Sequence, residues 1–452
     1  MTQPDPTRRF GRSEALHWTG PTARCTAAVA SLALLTAWSA AAEPSPERLS
    51  ETLPEPLTLA WCLERAEAAS PDLDIARTSA EAAGERVYPA GALPDPRFRY
   101  ELVNLPTGDL DLDSSPMSGQ QLGLSQQLPF PGLLRGQRAA ARSAAQATEA
   151  ELGDESRAVA ASVEQAWVAL GFAQRALDIT QNNIELVRRL AAIAESKYAV
   201  GQGLQQDVIR AQLVLTELLD DQLRREAAVR AAEARLANRL DLTFEPPLPR
   251  TAMLREPAPL PELGPLLDRL EATNPRLHAL ERRIDEARRR KQVARLEGYP
   301  DFDLGVGYRV RQEAPGDPVQ GDDFLTASVT IRLPVDRHKW RSRLAEQDAL
   351  LRRSQAEYRR LRAALRDSLR TRFADLVRAD GEIALVETGL LPQARRSLES
   401  SRTGYEVDKV DFLSLIDSQV RLFNAQLRLE RAIADRRNAF ASIEASLGVP
   451  LR

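Results

Sequence analysis

Asp207 and Arg210 stand three residues apart, and Asp417 occupies, in a second and similar stretch, the place that Arg210 holds in the first. Side chains at i and i+3 of a helix share a face, so Asp207 and Arg210 can form a pair. The chemistry this spacing offers is electrostatic: holding, screening or releasing charge. A competing explanation is equally physical. An acid in the first turn of a helix is favoured by the helix dipole alone, by about 0.3–1 kcal/mol. Asp411 is a still better capping candidate, and no further role is assigned to it. Other reactive side chains are few and scattered. His17, His278 and His338 are isolated, and the two cysteines, Cys25 and Cys62, lie far apart. There is no His/Cys cluster at metal-binding spacing, no Gly-rich phosphate loop, and no Ser/His/Asp set. No catalytic residue, resident metal or cofactor is expected.

The elements that would position these charges occur twice. Tyr198–Gln212 reads YAVGQGLQQDVIRAQ and Tyr405–Gln419 reads YEVDKVDFLSLIDSQ. Leu240 and Leu447 keep the same offset. Ser70-Pro71 matches Asn274-Pro275, and Leu128-Pro129 matches Leu333-Pro334, with a drift of only a few residues. A period this long excludes a solenoid and means two copies of a whole structural unit.

Each unit opens with a helix broken at a capping residue and Pro, as Pro is tolerated in a first turn. Two alternating segments follow. Arg97–Leu105 and Gln121–Leu128 form the first pair. In the second, Phe302, Leu304, Val306, Tyr308 and Val310 alternate with Asp301, Asp303, Gly305, Gly307 and Arg309. Then Leu325, Ala327, Val329, Ile331 and Leu333 alternate with Thr326, Ser328, Thr330 and Arg332. Period-two alternation predicts two-faced strands, and about ten tilted residues suffice to cross a bilayer in a barrel. Gly132–Lys197 and Arg337–Arg402 then read as very long helices, which neighbours must support along their length. Pro392 is expected to kink the second. Tight turns at Val200–Leu204 and Val407–Asp411 reverse the chain into shorter return helices.

The expected organisation is a signal peptide over 1–42, a first repeat over 43–242, a Pro-rich linker over 243–265 and a second repeat over 266–452. The leader reading rests on Arg8, Arg9, Arg12 and Arg24, the apolar run to Ser39, and Ala40-Ala41-Ala42 before Glu43. Cys25 has no lipobox context, so no lipid anchor is expected. Cys62 alone remains after cleavage, which leaves no intramolecular disulfide. With 61 Lys and Arg against 64 Asp and Glu, the chain lacks the basic excess of a nucleic-acid binder.

Four strands cannot close. In a bilayer an open edge strands unpaired backbone groups at several kcal/mol each, so only closed barrels persist. Membrane strands would therefore require oligomerisation: eight strands from a dimer, with a filled interior, or twelve from a trimer, with a lumen.

The plan resembles the TolC-like outer-membrane efflux protein family over essentially the whole mature chain. Tyr198-Ala199-Val200-Gly201 followed by Asp207 looks like the family's Tyr-x-x-Gly turn and acidic helix start. The second copy departs from it: Asp408 replaces the Gly, and Ser414 stands where Asp207 does. SQQLPFPG at Ser125–Gly132 and RLPVDRHK at Arg332–Lys339 are similar to strand-to-helix junctions in the heavy-metal efflux branch. The resemblance implies an α+β membrane protein. A homotrimeric outer-membrane β-barrel would be continued by a periplasmic α-helical barrel, forming the exit duct for a periplasmic adaptor and an inner-membrane pump. It implies outer-membrane lipid as surroundings, with metal cations a cargo to consider. Gly201, Gln202, Gly203, Leu204, Asp408, Lys409 and Val410 become adaptor-contact candidates, Leu204 and Val410 being expected to stand exposed. Asp207, Arg210 and Asp417 become candidates for a periplasmic gate, since threefold symmetry would gather them near an axis. The rival is a periplasmic coiled-coil adaptor or scaffold without a barrel, which the long hairpins alone would fit. A soluble enzyme would need a reactive constellation that the sequence lacks.

Overall fold

The computed structural model describes residues 53–108, 110–242, 247–252, 262–449 and 451. The segment read as a leader, with His17 and Cys25, lies outside them. Capping residues set the helix boundaries. Thr58 starts α1 (Leu59–Ala69), its hydroxyl accepting from the Trp61 amide at 3.4 Å. Ser70 closes α1 and opens α2 (Pro71–Glu85), and a short α3 (Val87–Ala90) follows. The second repeat uses Asn274 in the same way, between α6 (Leu263–Thr273) and α7 (Pro275–Leu296). The Asn274 carboxamide accepts from the Leu277 amide at 3.0 Å and donates to the Ser446 carbonyl at 2.7 Å. That break therefore also anchors the end of the last helix. Gly448 sits there at φ 73°, where an added Cβ would meet Pro275 Cδ at 2.5 Å.

The strands are β1 (Arg97–Val103), β2 (Gly119–Leu128), β3 (Asp301–Val310) and β4 (Phe324–Arg332). They form one antiparallel sheet in the order β1-β2-β3-β4. β1 stops short of Leu105 because Asn104 adopts φ 54° and turns the chain. The β2–β3 pairing joins the two repeats, with Leu122 opposite Tyr308 and Gly123 opposite Gly307. Both outer strands, β1 and β4, keep an open edge.

The long hairpins are α4 (Leu133–Ala199) with α5 (Gln205–Arg239), and α8 (Arg337–Leu385) continued by α9 (Leu391–Glu406), with α10 (Phe412–Leu447). At 1.5 Å per residue, the 67 residues of α4 span about 100 Å. A single globular core cannot follow a rod of that length. The apolar contacts form a string of clusters instead. One surrounds Trp167 and Leu236, one Ile184 and Phe423, one Leu190 and Phe412, and a separate one joins α6, α8 and α10 around Phe440. Polar ties cross between the repeats as well. Arg437 of α10 reaches Glu164 of α4 at 2.5 Å with both side chains buried, and Gln419 bonds Asn183.

The kink expected at Pro392 takes the form of a π turn over Val386–Leu390. Pro392 has no N–H, and its ring would clash with the carbonyl four residues earlier in a regular helix. The wider turn removes that clash. The described middle of the linker, residues 247–252, is a built part of the fold and not a loose tether. Leu248 is buried, and the Thr251 amide donates to Gln174 at 3.0 Å. The Ala252 amide donates to the Leu57 carbonyl at 2.9 Å.

Candidate functional site

The register sorts the sheet into two chemically distinct faces. Phe98, Tyr100 and Leu102 of β1 share one face with Leu122 and Leu124 of β2, Leu304, Val306 and Tyr308 of β3, and Leu325, Val329 and Ile331 of β4. Every one of these side chains is exposed, Leu325 to 75% and Phe98 to 71%. An apolar patch that spans a whole sheet marks a surface meant for lipid or a partner. The opposite face carries Arg99 with Glu101, Gln121 with Arg309, Asp301 with Arg332, and small residues at Gly305, Gly307 and Ser328. It is a wet face. The loop between β3 and β4 is ordered by a fully buried Arg311–Asp317 pair, and Asp317 also accepts from the Gly321 amide at 2.8 Å.

At the far end of the helices the two turns are built alike from different residues. Gly201 (φ 74°) and Asp408 (φ 61°) hold the same left-handed position, which Asp tolerates better than most side chains. The Gly-to-Asp departure in the second copy thus preserves the turn. A second exchange compensates for space. Gly203 leaves room for Lys197, as a Cβ there would lie 3.0 Å from Lys197 Cβ. In the second turn the glycine is Gly404, and a Cβ there would meet Val410 Cγ2 at 2.5 Å. Lys197 therefore stands where the other repeat has Gly404. Its ammonium crosses to the second hairpin, donating to the Tyr405 carbonyl at 2.5 Å and to Asp408 at 2.6 Å. It also lies 4.7 Å from the Tyr405 ring centroid.

The two tips enclose a cleft of about 440 Å³. Gln202, Gly203, Leu204, Asp207 and Arg210 line one side, and Asp408, Lys409, Val410 and Asp411 the other. Burial pushes the Asp207 carboxyl above the usual carboxylate range; Arg210 opposes that shift and the nearby Asp411 adds to it. Asp411 is held low, chiefly by a side-chain hydrogen bond with Ser414; burial opposes this, and the Ser414 amide, which donates to Asp411 at 3.3 Å as it caps α10, reinforces it. Burial raises the Tyr405 phenol, with Asp207 and Asp408 adding to it.

Of the sequence candidates, Leu204 is exposed at 65%. Val410 is not: it is half-buried against Gly404, which corrects the expectation that it would have nothing to pack on. Gly201 shapes the turn without lining the cleft. Asp417 does not line it either. It is exposed on α10 and paired with Arg421 at 2.7 Å. Within one protomer the acid brought near Asp207 is Asp411. Lys197 and Tyr405 escaped sequence reasoning. The available signal was the large-for-small exchange of Lys197 for Gly404 between the repeats.

Among the described residues no helix is long and apolar enough to cross a membrane. A family model described as outer membrane efflux protein matches residues 62–240 and 266–449, one match per repeat. The chain is 23% identical to the cobalt-zinc-cadmium resistance protein CzcC of Cupriavidus metallidurans, over 87% of this chain and 90% of that one. Its fold is similar to the open state of the MtrE outer membrane channel of Neisseria gonorrhoeae, with TM-score 0.72, 18% identity, and coverage of 87% and 89%. It is likewise similar to the outer membrane protein VceC of Vibrio cholerae, with TM-score 0.71, 17% identity, and coverage of 87% and 97%.

Proposed function

Because the chain belongs to the outer membrane efflux protein family, we propose that it is the exit duct of a tripartite efflux system and that it works as a homotrimer. It is an outer-membrane efflux channel whose helices extend into the periplasm, and that displaces the rival reading as a periplasmic coiled-coil adaptor or scaffold without a barrel. The trimer is supported above all by the sheet. Its four strands have two open edges, one apolar face and one wet face. Three copies close it into twelve strands around a lumen, where a dimer's eight would fill with side chains.

The periplasmic adaptor meets the tips, with Leu204, Gln202 and Lys409 as its first contacts, and an inner-membrane pump supplies the cargo. Gly201, Gly203, Asp408 and Val410 hold the turns in shape for it. Divalent metal cations are the cargo class to test first, given the likeness to CzcC. Asp207 and Arg210 form the gate where symmetry gathers the tips, with Asp417 one and a half turns further in along α10. No step makes or breaks a covalent bond.

The test is a metal-sensitive host carrying the cognate pump and adaptor. Leu204→Asp should abolish metal tolerance while the trimer still shows heat-modifiable migration on a gel. Full tolerance with Leu204→Asp and Lys409→Glu combined would place docking elsewhere. Tolerance that this protein never restores, with a normal trimer present, would remove metals as cargo.

A further inference from the structure

All four strand–helix junctions lie at one end of the sheet, and their composition is ordered by depth. The apolar strand face ends at Leu128, Phe302 and Ile331. Aromatic rings come next. Phe130 stacks on Tyr299 with centroids 4.5 Å apart, Trp340 packs over Gly298, and Tyr88 is 72% exposed. Cations follow within the first turns of the helices: Arg135, Arg138 and Arg142 on α4, and Arg337, Lys339 and Arg341 on α8, all exposed. Among the described residues Arg135, Arg142, Arg337 and Arg341 have no ion-pair partner. Arg138 lies against the Tyr88 ring at 5.8 Å and Lys339 against Trp340 at 5.2 Å. Beside the collar Arg343 pairs with Glu297, and farther along α8 ion pairs to neighbouring helices recur, Lys291 of α7 with Asp348 and Glu271 of α6 with Arg362 and Arg366, while Arg359 and Arg360 are unpaired among the described residues.

We propose that this collar binds the anionic phospholipid headgroups of the periplasmic leaflet. Amphipathic rings sit at the level of headgroups, and the headgroup zone extends several Å beyond the hydrocarbon on each side. Arg341 lies within about 10 Å of the start of the helical region at 1.5 Å per residue, so its charge reaches that zone. The collar is continuous with the lipid-facing band, and its uncompensated positive charge complements phosphate. The lipid would fix the height of the duct in the membrane, and so the reach of its tips. The inference rests on the membrane placement of the sheet and is independent of adaptor, pump and cargo.

The test uses the full chain in nanodiscs of mixed phosphatidylcholine and phosphatidylglycerol, with the lipid retained on re-extraction counted by mass spectrometry. Wild type should be enriched in phosphatidylglycerol, and the enrichment should fall with rising salt. Arg135→Gln with Arg337→Gln, Lys339→Gln and Arg341→Gln should lower it roughly ten-fold or more. Arg359→Gln with Arg360→Gln, about 30 Å farther along α8, should leave it unchanged. Wild type that enters nanodiscs without preferring phosphatidylglycerol overturns the inference and leaves the membrane placement standing. Failure to enter nanodiscs overturns both. An equal loss in the distal variant makes the effect general charge and overturns the collar. Binding of isolated cell-wall sacculi that the collar variant loses, with lipid enrichment intact, assigns the surface to the wall instead. Should the collar variant not fold, the salt dependence of the wild type decides.

Discussion

Lys197 ties the two tips together. Its ammonium reaches a carbonyl and a carboxylate of the other hairpin. The lysine is largely buried, whereas Asp408 is 64% exposed, so solvent screening limits the tie to about 1 kcal/mol. Lys197→Met keeps the stem and removes the charge. Amide exchange at Asp408 and Lys409 should then speed up several-fold, with the global unfolding temperature little changed. Unchanged exchange would leave Lys197 as packing only. Asp207 offers a second handle, through pH. Its carboxyl is raised in the folded protein by burial, so the native tip binds a proton more readily than the unfolded chain. Linkage then makes the tip most stable in acid and weakens it as pH rises through the raised value. Asp411 is depressed and works in the opposite sense, its contribution being lost as pH falls through its lowered value. Asp207→Asn should slow tip exchange at neutral pH and lose that advantage in acid. If the advantage persists in acid, the titration of Asp207 is not its cause.

The helices and strands differ in how openly the sequence declares them. Strand alternation was readable because one face had to be apolar and the other wet, and the helices because proline is absent from both α4 and α8. The π turn was not. Pro392 announces a break, but Leu333 to Tyr405 is merely a slightly longer stretch than Leu128 to Tyr198, and nothing local says where the surplus goes. The clasp was hidden for another reason: Lys197 and Tyr405 are 208 residues apart, and no periodicity links them. The linker reads in sequence only as Pro-rich, because Leu248 and Thr251 find partners only once α4 and α5 are packed. The π turn makes a definite prediction. Deleting Gly389 restores a regular helix and forces Pro392 into its interior, at roughly 3 kcal/mol. Adding Pro392→Ala to that deletion should recover most of the loss in thermal unfolding of the assembled protein. A deletion that is neutral by itself would mean the turn does not exist to host the proline.

The whole molecule is governed by a mismatch between what one chain folds and what a bilayer permits. The helical rods satisfy their own backbones, while the sheet leaves β1 and β4 open and its apolar face bare. Lipid can cover that face, but lipid cannot pair an edge. Assembly therefore has to close the sheet, and the chemistry of each face should decide which substitutions it survives. Val306 and Val329 point to the apolar side, 57% and 65% exposed. A charge placed there meets hydrocarbon, at a depth-dependent cost of up to a few kcal/mol, with acids at the lower end. Because closure multiplies the cost by the number of copies, Val306→Asp with Val329→Asp should abolish the heat-modifiable band and leave the helical content of the extracted chain intact. Ser328→Asp and Thr326→Asp put the same charge on the wet face and should assemble normally, changing only ion selectivity in planar bilayers. Ser328 is a cleaner control than Gly307, where a Cβ would already press on the Gln121 carboxamide at 2.9 Å. Equal tolerance on both faces would be incompatible with a membrane-spanning sheet, whatever the helices do. A loss confined to the apolar face would tie the alternation seen in β3 and β4 directly to the lipid it meets.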